Sequence, residues 1–167
     1  MSSCATVAAR STAMHSIFQT PKFNSAGLFA MNVYVRGRPY TLVIDDYLPF
    51  LNNKLTFDHL GADKSTWGPY LEKAWAHVSG NYEMTDGGLH TEALEFLTGC
   101  PANLWNIQND LGGDATQVWN KLTDATANNY LIGISCPSEN DGVNGIIGGH
   151  AYSVLGTYVV TDGTTFT

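Results

Sequence analysis

The sequence predicts an α+β fold, on three observations. Residues 67–80 (WGPYLEKAWAHVSG) carry apolar side chains at helical spacing, and residues 27–45 alternate in the manner of a β-hairpin. Two further strand-like runs, 130–135 and 150–160, flank a glycine-rich loop. A break at Gly87-Gly88 divides the chain into two expected lobes. Residues 1–88 would hold a helix, the hairpin and a second helix, and residues 89–167 helices that lead into strands.

In chain order, residues 2–18 place Val7, Ala8, Met14, Ile17 and Phe18 at helical spacing, so one helix is expected before Pro21 and Asn24-Ser25 break it. Gly27–Arg36 and Tyr40–Asp45 form the hairpin, joined by Gly37-Arg38-Pro39. Their alternation is soft, so both faces should be at least partly covered. Leu48 to Asp63 has little periodicity and reads as loop. In the 67–80 helix, Leu71, Ala74, Trp75 and Val78 make one apolar stripe, and Gly80 ends it as a C-cap. Thr66 or Ser65 supplies the N-cap, and Pro69 is tolerated in the first turn. A short helix is expected over His90–Leu97 and a longer one over Ala115–Asn128. Strands follow at Tyr130–Ser135 and His150–Val160, the second after the loop Gly142–Gly149, and Asp162-Gly163 has turn chemistry. An uncovered strand edge is a hazard, so a partner for His150–Val160 is expected from a neighbour or from beyond Thr167.

Composition narrows the function classes. Apolar residues make up 44% of the chain, charged residues 14%, and there are 17 glycines, which describes a folded protein rather than a disordered one. A net charge of −7 lacks the electrostatic footprint of nucleic-acid binding. No run of about 18 apolar residues is present, so no membrane partner is expected. The first residues have a single Arg10 and no unbroken apolar core, unlike a secretory signal. Cys4, Cys100 and Cys136 are odd in number and widely spaced, which suits a reducing compartment and makes neither a disulfide framework nor a zinc site. An intracellular, cytoplasmic location follows, compatible with cytoskeletal or ciliary association.

Few motifs carry chemistry. Among the five histidines there is no HxxxH or HExxH; His77 and His90 are far apart, and His15 and His59 have no other histidine at metal-binding spacing in the sequence, so no metal ligand is assigned. Asp45-Asp46 ends a strand, where neighbours point to opposite faces, and turn capping fits it better than paired acid–base work. Glu92 and Glu95 share a solvated helix face. Gly145-Ile-Ile-Gly-Gly149 lacks the order of a phosphate-cradling loop. His150 differs from these. It opens an apolar strand directly after Gly148-Gly149, where it could serve as a general base near neutral pH. It could equally be a histidine that caps a strand, and the residue types leave both readings open.

Several segments, in order, resemble the calpain family of cysteine proteases. Asn24-Ser-Ala-Gly27 with Val43-Ile-Asp-Asp-Tyr-Leu-Pro49 is similar to the family's N-x-A-G … V-x-D-D-x-L-P hairpin. Trp67 through Gly88 is similar to its W-x-x-L-L-E-K-A-Y-A-K helix and following Y-E-x-x-x-G-G turn, and Thr91-Glu92 through Thr98-Gly99 to T-E-x-F-x-D-F-T-G. Gly149-His-Ala-Tyr-Ser-Val154 matches G-H-A-Y-S-V, the family's histidine motif.

The resemblance implies a papain-like, two-lobed core, peptide-bond hydrolysis by a Cys–His–Asn triad, and protein substrates. It makes His150 the general base and places Gly88 and Gly149 along the substrate cleft, where a peptide can bond to backbone. It implies calcium as a possible cofactor, although Ser65 stands where conventional members have an acidic ligand, with Asp63 nearby. The family's G-D-C-[WY] cysteine is expected just before Met1, with the oxyanion glutamine ahead of it, and the N-P-W-G asparagine after Thr167. Cys4, in the context Ser-Ser-Cys-Ala, comes too late and lacks the Gly-Asp pair. The core is thus expected to be incomplete at both ends. The chain then reads as part of a calcium-dependent endopeptidase, or as an inactive module kept for binding, possibly a subunit of a large complex. A third option makes Cys4 a shifted nucleophile.

Overall fold

The structure, a computed structural model, describes residues 2–137 and 145–160. The Asp162-Gly163 turn and the first part of the Gly142–Gly149 loop lie outside the described residues.

The helix expected over 2–18 is two helices, α1 (Ser2–Ala8) and α2 (Ser11–Ile17). Arg10 separates them in extended backbone, φ −110° and ψ 92°. The bend lets Val7 and Ile17, both buried, enter the same core. The hairpin is β1 (Leu28–Val35) and β2 (Arg38–Asp45), antiparallel from Leu28↔Asp45 to Val35↔Arg38. Its turn is Arg36-Gly37 rather than residues 37–39, and both turn residues have positive φ, 52° and 72°. That is the mirror-image turn that matches strand twist in two-residue hairpins. Phe29, Met31 and Val33 are buried on one face of β1, while Ala30 and Asn32 on the other are partly covered. The chain after α2 lies along β1: Gln19 N–H donates to Ala30 C=O at 2.9 Å, and the Asn32 amide donates to Ser16 C=O at 2.9 Å.

The expected loop 48–63 contains a small hairpin, β3 (Phe50–Leu51) with β4 (Lys54–Leu55). Asn52-Asn53 makes its turn with φ of 52° and 60°, a conformation asparagine tolerates better than most residues. Helix α3 (Trp67–Ser79) follows, with Leu71 and Ala74 buried and Gly80 at its C-cap. Thr66 precedes it without a side-chain capping bond. Lys73 on α3 reaches the end of β2, pairing with the Asp45 carboxylate and donating to the carbonyls of Asp45 and Tyr47. Asp45 also accepts the Tyr47 N–H at 2.9 Å, which is the turn-capping role expected of it.

Helix α4 (His90–Thr98) completes the core with Leu94, Phe96 and Leu97, beside Cys4 and Val7 of α1, Phe29, Met31 and Val33 of β1, and Tyr70, Leu71 and Ala74 of α3. Helix α5 (Ile107–Leu111) was not expected; Asn106 caps it, accepting from the N–H groups of Gln108 and Asn109. Helix α6 (Ala115–Ala127) begins at Asp114, whose carboxylate accepts the Thr116 N–H at 2.8 Å. Lys121 of α6 lies 4.0 Å from the centre of the Trp105 ring, a cation–π contact that holds the helix to the segment before α5.

Strands β5 (Ile132–Ser135) and β6 (Ala151–Val154) pair antiparallel, Ile132↔Val154 through Ser135↔Ala151. The run expected as strand over 150–160 is therefore strand only to Val154. Beyond it, Leu155, Tyr158, Val159 and Val160 are exposed and have no strand partner among the described residues. Helix α1 packs against β5, β6 and α4, so it joins the hairpin side of the molecule to the strands on either side of His150. Among the described residues, no helix is long and apolar enough to cross a membrane.

Candidate functional site

His150 stands one residue before β6, exposed. Gly149 before it has φ +63°, a left-handed backbone that glycine adopts without penalty and that turns the chain into the strand. The His150 carbonyl accepts the Cys136 N–H at 2.9 Å, which extends the β5–β6 pairing by one step and pins the backbone of the histidine. Its imidazole meets the ring of Tyr152 edge-on, with centroids 5.0 Å apart and planes at 77°. The Tyr152 hydroxyl accepts the Ile147 N–H at 2.8 Å and lies 3.3 Å from the Ile147 carbonyl, to which it can donate. One side chain thus touches the histidine and ties down the loop that delivers it.

Gly88 lies on a separate exposed turn with φ +124°, after Gly87 at +80°, and a side chain there would meet no atom within 4 Å. Two residues on, His90 connects that turn to the strands. The His90 Nε2 lies 3.3 Å from the Ile134 carbonyl, which can only accept, so Nε2 carries the proton. Nδ1 then accepts the Ser3 hydroxyl at 2.8 Å. Burial favours this neutral form and pushes the His90 pKa down, and the bond to Ile134 opposes the shift. The ring fits closely, because a Cβ on Gly133 would come within 2.3 Å of Nδ1. Ser3, His90 and Ile134 thus join α1, α4 and β5, a tie that no sequence motif marked.

The cysteines divide sharply. Cys4 is buried in the core, and desolvation pushes its thiol up to about 11. A buried thiol that stays protonated near neutral pH is the opposite of what a nucleophile requires. Cys100 is exposed just past α4, beside a groove of about 610 Å³ lined by α2, the hairpin and the end of α4; His150, Gly88 and Gly149 do not line it. Cys136 is half-buried, opposite His150.

The ground around Ser65 does not fit a calcium ion. The Ser65 hydroxyl and N–H hold the Asp63 carboxyl below its usual range, the N–H at 2.9 Å, so that carboxylate is committed to its own loop. Among the described residues, no group of three or more His, Cys, Asp or Glu side chains is placed to hold a metal.

The family model described as "Calpain family cysteine protease" matches residues 1–166. The protein is 32% identical over 143 residues to "Calpain-type cysteine protease DEK1" of Zea mays, covering 81% of this chain and 7% of that one. It is 35% identical over 139 residues to "Calpain-12" of Homo sapiens, covering 81% and 19%, and 32% identical over 136 residues to "Calpain-A" of Drosophila melanogaster, covering 78% and 16%. The chain belongs to the calpain family of cysteine proteases. It spans less than a fifth of the length of each of these relatives.

Proposed function

We propose that this chain is the histidine-bearing part of a papain-like, two-lobed endopeptidase, with lobes at 1–88 and 89–167, acting on proteins inside the cell. His150 is the general base. The imidazole takes the proton of a cysteine thiol, and the thiolate adds to the scissile carbonyl carbon. The imidazolium then gives its proton to the leaving amine as the C–N bond breaks. Water, deprotonated by the same ring, hydrolyses the acyl-enzyme. Gly88 and Gly149 present backbone to the substrate strand. Cysteine, asparagine and oxyanion donor are supplied from outside residues 1–167.

The observation that carries this reading is His150 itself: an exposed imidazole with its backbone pinned by Cys136, one face steadied by Tyr152, and glycine leading into it. A second reading rests on Cys4. With that thiol buried, the chain by itself is a calpain-like interaction module, held in a larger assembly through its exposed apolar surfaces. The two separate on a peptidyl electrophile offered to the product of the complete reading frame, with the labelled residue found by mass spectrometry. The protease reading requires one fast-labelled cysteine outside residues 1–167, with labelling that slows in His150→Ala. Absence of any preferential labelling selects the interaction module.

A further inference from the structure

Cys136 faces His150 across the β5–β6 ladder. The register runs through Ser135↔Ala151, and the next step is closed by the Cys136 N–H on the His150 carbonyl at 2.9 Å. Directly opposed residues of an antiparallel pair share a face, with Cβ atoms about 4.5–5.5 Å apart. Tyr152, two residues on from His150, lies on that same face. The imidazole rests against it, so the histidine ring follows the face that Cys136 occupies. Cys136 is a free thiol and half-buried, and His150 is exposed, so solvent reaches the pair.

We propose that Cys136 and His150 form a two-ligand site for a thiophilic divalent cation of the zinc type. Thiolate and imidazole are the donors such ions prefer. Bonds of about 2.3 Å to sulfur and 2.0–2.1 Å to nitrogen, at tetrahedral angles, put the two donor atoms roughly 3.5 Å apart. From directly opposed Cβ positions, rotation about χ1 and χ2 can bring a thiol and an imidazole nitrogen to that separation. Water fills the other positions, so the site is open and its occupancy reversible. Binding deprotonates the Cys136 thiol and occupies a lone pair of the His150 ring. The regulatory consequence rests on the protease reading: the ion removes the general base and holds the enzyme off. Binding itself does not depend on that reading.

Cobalt(II) is the probe, added to the reduced 167-residue chain, with thiolate-to-cobalt charge-transfer absorption as the readout and Zn²⁺ as competitor. The expected result is one absorbing cobalt per chain, displaced by Zn²⁺. The band is lost in Cys136→Ser, weakened at least about tenfold in affinity in His150→Asn, and unchanged in Cys100→Ser. Circular dichroism establishes that the variants fold. In the unaltered chain, Zn²⁺ should also shift the imidazole NMR signals of His150, a measurement that needs no variant. Absence of the band, its persistence in Cys136→Ser, or wild-type affinity in His150→Asn would overturn the proposal. None of these outcomes bears on hydrolysis by the metal-free protein, so the two readings fail separately.

Discussion

Tyr152 holds His150 from two directions at once. Its ring meets the imidazole edge-on at 5.0 Å, and its hydroxyl takes the Ile147 N–H at 2.8 Å on the loop that leads into the histidine. The relationship links the backbone path through Gly148-Gly149 to the orientation of the side chain.

Replacing Tyr152 by phenylalanine keeps the ring contact and deletes the latch. The expected cost is about 1 kcal/mol, the usual net worth of a neutral hydrogen bond, concentrated in the loop. Hydrogen exchange should show the Ile147 amide losing protection while the amides of α3 keep theirs. Uniform loss of protection across the molecule would contradict a local latch.

His90 makes stability depend on pH. Its folded pKa is depressed, so between that value and the unfolded value near 6.5 the unfolded chain binds more protons. The stability His90 contributes is therefore complete above about pH 6.5 and is lost as pH falls through the folded pKa. Glu72, raised chiefly by burial, acts in the other direction, since its ionisation above its unfolded pKa costs stability as pH rises. Urea titrations at several pH values should show the acid-side loss, and His90→Gln should flatten the part of the curve below about pH 6.5, where the unfolded histidine takes up its proton before the folded one.

Gly133→Ala drives a methyl group into His90. Because the Cβ would stand 2.3 Å from Nδ1, α4 or β5 must shift, and overpacking of this kind costs about 1–3 kcal/mol. Thermal melts of Gly133→Ala and of the double variant with His90→Ala give the check. The second substitution should recover part of the loss, whereas additive losses would show that the clash is absent.

Much of this was legible in the sequence, and the failures have physical causes. The hairpin, α3, α4 and α6 follow from periodicity and from Gly80 because local pattern and tertiary burial agree there. The break at Arg10 was hidden because Val7 and Ile17 keep helical spacing on both sides of it, and only the core shows that one straight helix is not used. The β3–β4 hairpin was signalled by Asn52-Asn53 between Phe50-Leu51 and Lys54-Leu55, and α5 by Asn106 with Gly112 at its end, yet both are too short for periodicity to register. The last strand was drawn too long because β-propensity continues past Val154, whereas a strand extends only as far as its partner, and β5 has four residues. His150 was legible from Gly148-Gly149 and the strand after it. The Ser3–His90–Ile134 tie was not, since it joins residues 87 and 44 positions apart.

Thiol reactivity tests the division among the cysteines. Iodoacetamide should modify exposed Cys100 fastest, while Cys4, a buried thiol raised to about 11, should react only as fast as the core opens. Mass spectrometry of time points measures both. Labelling of Cys4 at the rate of Cys100 would place that thiol at the surface, against the packing described.

The general-base role of His150 is tested most directly by peptide hydrolysis with the product of the complete reading frame, comparing His150→Ala with Tyr152→Phe. Loss of one triad member should lower turnover by about 10⁴-fold or more, and Tyr152→Phe, which leaves the imidazole in place, should retain most of it. Hydrolysis by His150→Ala at the unaltered rate would contradict the account.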